Sequence, residues 1–212
     1  MKNSIKNNII CITTALLLSV AVITASIESA FAFKGLYYFD IKHLNITKSA
    51  NMDSVKIKNI YDYVICYFRN TKKGNFNPPY ISSSKNGKIH FNDVRLLLNK
   101  LNTFLLILLI FITPLIILNI KNKKYRFLKL SSIITFFSTI LISMPFLINF
   151  NKSFDAAHRL IFHNDYWLLD PDKDPIINIF PETFFFHCII FIISINMIFC
   201  IASGAIYHKL KT

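Results

Sequence analysis

The chain has 212 residues, 53% of them apolar and 17% charged, and its mean hydropathy is positive at +0.45. That balance turns the reading away from a soluble domain and towards a membrane protein. The formal charge of +13 would suit nucleic acid, but the positives are scattered between apolar runs and form no basic helix fit for a groove. Nucleic acid is therefore set aside, and an anionic membrane surface is the simpler partner.

The apolar residues cluster in four runs, about Ile9 to Phe33, Thr103 to Ile120, Phe127 to Phe150 and Phe184 to Tyr207. Even the shortest is long enough to cross a bilayer, because about 18 residues of helix rise roughly 27 Å. The fold class follows: an all-α membrane protein with four transmembrane helices. A small extracytoplasmic cap lies between spans 1 and 2, and a His/Asp-rich loop between spans 3 and 4. The expected segments are 1–33 (signal-anchor-like helix), 34–102 (cap), 103–120 (span 2), 121–126 (cytoplasmic loop), 127–150 (span 3), 151–183 (extracytoplasmic loop), 184–207 (span 4) and 208–212 (tail).

Within the first segment, a charged start, an apolar middle and the small residues Ala30 and Ala32 also fit a cleaved signal peptide. The run continues to Phe33, which favours a retained anchor, and both readings put Lys34 outside. In the cap, Ile57, Ile60, Tyr61, Val64, Ile65 and Phe68 recur at helical spacing, and Pro78 and Pro79 break the pattern. After Gly87 the pattern is helical again and runs into span 2, which places His90 at the outer mouth of a membrane helix. The basic loop Lys121 to Arg126 goes to the cytoplasm by the positive-inside rule, supported by Lys2, Lys6, Lys209 and Lys211. Both termini are then inside. Segment 34–102 is basic and segment 151–183 acidic, so the two outer segments are expected to dock.

The run from His158 to Phe185 is unlike an ordinary inter-helix loop, since it holds the only Trp and five of the eleven acidic residues. On a helix, His90 and Asp93 share a face, as do Asp155 and His158, so each carboxylate is placed to orient an imidazole. Two such pairs make an acid and base couple. Trp167 and Tyr166 read most simply as interfacial anchors, and Asp170-Pro171 and Asp174-Pro175 as turns. A metal set of His90, His158, His163 and Asp165 is the competing chemistry, although no HExxH-like spacing or CxxC occurs. No Ser or Cys has the setting of a nucleophile.

These residues resemble the bacterial lipoprotein intramolecular transacylase (Lit) family, whose pattern has HMxDV before the second span and FHxIFFxNDxWLLDPxxDxLIxxLPExFF between the third and fourth. Here the first reads His90-Phe91-Asn92-Asp93-Val94. The second runs from Ala157-His158 through His163, Asn164, Asp165, Trp167, Asp170 and Asp174 to Pro181, Glu182 and Phe185. Phe91 stands where Met is usual and Ala157 where Phe is common. The resemblance implies transfer of the sn-2 acyl chain from the diacylglyceryl group of a lipoprotein to the α-amino group of its N-terminal Cys, giving the lyso form, in the bacterial cell membrane and with no cofactor. His90 and His158 are the expected catalytic residues, with Asp93, Asp155, Asn164, Asp165 and Trp167 supporting. His90, helped by Asp93, is assigned the base and His158 the oxyanion or leaving group, with the reverse as the alternative. The implied partners are diacylglyceryl-modified lipoproteins and membrane lipids. Two other functions stand beside it: a metal-dependent membrane lipid or peptide hydrolase, and a non-catalytic sensor or assembly protein.

Overall fold

The computed structural model describes residues 2–72 and 74–211. Met1, Lys73 and Thr212, which belong to the expected segments 1–33, 34–102 and 208–212, lie outside the described residues, as does the Lys2 side chain counted among the inner positives. Eight α-helices follow in order among the described residues: α1 Lys2–Ala32, α2 Lys34–His43, α3 Ile46–Ser49, α4 Ser54–Phe68, α5 Lys85–Lys121, α6 Arg126–Ile148, α7 Phe150–Phe162 and α8 Glu182–Lys211. A 3-10 turn, Pro175–Asn178, precedes α8. Helices α1 (from Ile5), α5, α6 and α8 are long and apolar enough to cross a membrane.

One compact unit comprises Met1–Ser29, Leu101–Met144 and Ile190–Thr212. Its core includes Cys11, Ala15 and Phe127, and the helices are tied by small polar side chains that also satisfy the backbone. Asn119 Nδ2 donates to Thr14 Oγ1 at 2.9 Å, Ser19 Oγ to the Ser131 carbonyl at 3.1 Å, and Ser132 Oγ to the Cys200 carbonyl at 2.9 Å. In an apolar solvent an unpaired hydroxyl or amide is costly, so these bonds select which helix faces meet.

The second unit comprises Ala30–Lys100 and Pro145–Ile189. Its core is aromatic: Tyr37 stacks on Tyr61 with ring centroids 4.0 Å apart, and Phe76 on Phe91 at 4.1 Å. Asp53 caps α4 by accepting from the amides of Val55 and Lys56, so the helix starts three residues ahead of the apolar pattern. Helix α5, at 37 residues, extends roughly 55 Å, well beyond a hydrocarbon layer of about 30 Å. Its apolar run begins at Thr103, so the turns carrying His90 and Asp93 precede the membrane-spanning part.

Two expectations need correction. The third apolar run does not continue as one helix to Phe150. Asn149, with an extended backbone, ends α6 and caps α7 by accepting from the Lys152 amide at 3.1 Å. The acidic and basic outer segments do meet, but among the described residues no ion pair joins 34–102 to 151–183. Asp170 pairs locally with Lys173, and the junction is made by hydrogen bonds and aromatic packing, which hold geometry where exposed charges contribute little.

Candidate active site

His90 lies on the second turn of α5 and His158 on α7, and their ring centroids are 6.0 Å apart. Phe154 and Phe162 sit one helical turn before and after His158 on the same face of α7. Phe154 is 4.1 Å from the His158 ring, and Phe162 is 5.6 Å from it and 5.1 Å from His90. Trp167 closes the other side, 5.0 Å from His158. Both imidazoles are thus set among aromatic rings.

The hydrogen bonds assign the nitrogens. His158 Nδ1 is 2.8 Å from the Phe154 carbonyl. A carbonyl only accepts, so Nδ1 carries the proton and the neutral ring keeps its lone pair on Nε2. His90 is 8% exposed, and its Nδ1 is buried with no hydrogen-bond partner. Burial, reinforced by the neighbouring His158 ring, pushes His90 down from the ordinary imidazole range to about 4. Burial lowers His158 as well, opposed by its bond to the Phe154 carbonyl and by the charge of Asp155. Both rings are therefore neutral at pH 7, one offering a lone pair and the other a buried, uncommitted nitrogen.

The expected carboxylate partners stand elsewhere. Asp93 accepts from Asn164 Nδ2 at 3.3 Å, not from His90. Asn164 also donates to the Phe162 carbonyl and accepts the Tyr166 amide, so it turns the chain after α7 and ties that turn to α5. His163 supplies the left-handed C-cap, φ 52°. Asp155, Asp165 and His163 are exposed. Among the described residues no three His, Cys, Asp or Glu side chains gather at metal-ligand spacing, and the set of His90, His158, His163 and Asp165 is not brought together. Trp167, read from sequence as an interfacial anchor, is buried against His158. Its Nε1 is buried without a partner.

Sequence reasoning missed three features. Phe154 and Phe162 were accessible to it, four residues either side of His158. Asp174 was read as a turn residue, yet it is buried and its Oδ1 accepts the Ser84 amide at 2.8 Å, at the start of α5. A Cβ on Gly87 would collide with that carboxylate, so the missing side chain lets the α7–α8 connection lie against the helix that carries His90. Lastly, Asp40 of α2 is fully buried and takes a hydrogen bond from His187 of α8. These two are too far apart in sequence for any local signal.

Comparison with known proteins agrees with this architecture. A family model described as lipoprotein intramolecular transacylase Lit matches residues 12–185. The structure of the membrane integral lipoprotein intramolecular transacylase Lit from Bacillus cereus is 33% identical, with a TM-score of 0.93, over 98% of this chain and 96% of that one. Two structures of the same Bacillus cereus protein with one histidine replaced, by Arg and by Ala, are also 33% identical, each with a TM-score of 0.89. Each covers 98% of this chain, and 93% and 94% of those chains respectively. No curated protein matches.

Proposed function

This chain belongs to the lipoprotein intramolecular transacylase family, an integral membrane acyltransferase acting on lipoproteins, and we propose that it moves the sn-2 acyl chain of a diacylglyceryl-modified lipoprotein to the α-amino group of the N-terminal Cys. The observation that carries this reading is the pair of facing neutral imidazoles, His90 and His158, walled by aromatic rings.

His158 is the base. Its Nδ1–H is held by the Phe154 carbonyl, so Nε2 is the atom that takes the proton from the attacking amine. The amine attacks in its neutral form, the minority species below about pH 8, and its N–H becomes acidic enough for an imidazole to take only as the N–C bond forms. As nitrogen bonds to the ester carbon, the carbonyl oxygen gains charge. His90, held far below the range in which it would protonate, acts as a neutral N–H donor to that oxygen. The glycerol oxygen then leaves and receives the proton from His158. One ester becomes one amide, and total mass is unchanged. This reverses the roles expected from sequence, because burial suits His90 to donate and the Phe154 bond suits His158 to accept.

Amine and ester belong to one molecule, so holding them in attack geometry supplies much of the rate and no protein nucleophile or cofactor is needed. Asp93 and Asn164 position the α7 turn on α5, Trp167 walls His158, and Asp155 biases His158 electrostatically. Asp165 follows Asn164 at the rim. Exposed Leu160, Ile161 and Leu168 beside the site give membrane lipid and the substrate's acyl chains an apolar surface. The basic loop 121–126 faces the cytoplasm, with segments 34–102 and 151–183 and the site on the outer side.

The test is mass spectrometry of the N-terminal lipopeptide from cells lacking N-acylation, with and without this protein. The expected product has unchanged total mass, with one acyl chain moved from glycerol to the Cys nitrogen in the fragment spectrum. An unchanged fragment pattern despite verified membrane expression rejects the reading for that substrate.

A further inference from the structure

A cavity lies in the other unit, at the end of the four long helices that carries the α5–α6 loop. It encloses about 630 Å³. Lys123, Lys124 and Arg126 line it from the loop and the first residue of α6, Lys211 from the end of α8, and Asn7 and Asn8 from α1. We propose that this cavity binds an anionic phospholipid by its phosphodiester headgroup.

Among the described residues no acidic side chain opposes this charge. Glu28, near the far end of α1, is the only acidic side chain in this unit's sequence. Lys123, Lys124, Arg126 and Lys211 make no ion pair among the described residues. A cationic loop that served topology alone would need charge but no shape. Here the rim is built. Lys123 turns the chain with φ 53°, the Lys124 amide donates to the Asn119 carbonyl at 2.8 Å, and Asn119 is buried and bonded to Thr14 of α1. The start of α6 adds the positive end of a helix dipole to the same wall. Tyr125 and Tyr207 supply hydroxyl donors of the kind that sit at headgroup depth.

The ligand must have a tail as well as a charge. Ile5, Ile9, Ile206 and Leu210, on the helix segments that line the cavity, are exposed. A soluble anion would satisfy the lysines and leave that apolar surface bare. A phosphodiester on two acyl chains satisfies both, and basic pockets between membrane helices hold such headgroups.

The experiment is native mass spectrometry of the full chain, with chain-matched phosphatidylglycerol or phosphatidylcholine and with inorganic phosphate as competitor. Phosphatidylglycerol is expected to be retained over phosphatidylcholine. The double substitution Lys124→Gln, Arg126→Gln is expected to weaken its retention about thirtyfold, two cationic contacts' worth, and to remove the rise in unfolding temperature that the lipid gives the wild type. Equal retention of the two lipids overturns the proposal, as does a double variant that holds phosphatidylglycerol normally. Displacement by inorganic phosphate would assign the cavity to a soluble anion and overturn it too.

Discussion

Two histidine clusters in the same unit have opposite chemistry. His187 presents Nδ1 to both oxygens of the buried Asp40, 2.9 Å from each. His90 and His158 face each other with neither ring bonded to a carboxylate. The first is a clamp: a buried carboxylate without its partner costs several kcal/mol, so the pair joins α2 to α8 and its nitrogen is committed. In the second, commitment stops at the Phe154 carbonyl, and a lone pair is left on Nε2. Sequence spacing pointed the other way, since the near pairs His90–Asp93 and Asp155–His158 do not bond through their side chains and the distant Asp40–His187 pair does.

The largest expected effect breaks the open pair. His158→Gln should lower single-turnover transfer about 100- to 10,000-fold, because an amide cannot take the amine's proton. His90→Asn should lose less, because an amide can still donate to the oxyanion. Near-normal transfer by either variant would sink the couple, and equal losses would sink the division of roles.

His187→Ala tests the clamp. It strands Asp40, and thermal unfolding in detergent should show a loss of about 3 kcal/mol with the rate per folded molecule unchanged. Replacing both partners, Asp40→Leu with His187→Leu, should recover much of that stability. Loss of transfer in a fully folded His187→Ala protein would draw the clamp into the reaction and dissolve the contrast.

Gly87→Ala should cost about 1–3 kcal/mol by overpacking against Asp174, and adding Asp174→Ala should relieve the collision while loosening the connection to α5. Next comes pH. With both imidazoles held below their ordinary range, the rate below about pH 8 and down to about pH 6.5 should fall towards tenfold per pH unit, following the substrate amine alone. A slope steepening to two near pH 6.5 would mean that an unperturbed imidazole titrates in the reaction. The smallest effect is expected at Trp167→Phe, which keeps a ring beside His158 and removes a buried, unpartnered N–H. The outcome should be a stability gain of up to about 1 kcal/mol; a raised KM in its place would give that N–H to the substrate.

Much of the architecture was legible because it rests on short-range rules. Apolar runs of bilayer length specify spans wherever they occur, the spacing from Ile57 to Phe68 specifies α4, and the pattern after Gly87 carries α5 without interruption past His90. Candidate site residues could be proposed because the stretch around His158 is dense in polar and aromatic types where an ordinary loop would be plain. Their partners could not. Asp93 could be placed on the face of His90 by periodicity, but periodicity does not choose between a ring nitrogen and the amide of Asn164, which arrives from a different helix. Trp167 has the composition of an interfacial anchor, and only packing shows it buried.

By itself, then, the sequence determined the four apolar runs long enough to span, the family, and the motifs in which His90 and His158 stand, because each depends on local pattern or on residue identity along a motif. The tertiary structure decided which histidine is clamped and which is open, that His90 is buried to the point of staying neutral, that Gly87 makes room for Asp174, and that scattered lysines converge on one cavity. Those outcomes depend on desolvation and on contacts between residues far apart in the chain, and neither has a signature in linear spacing.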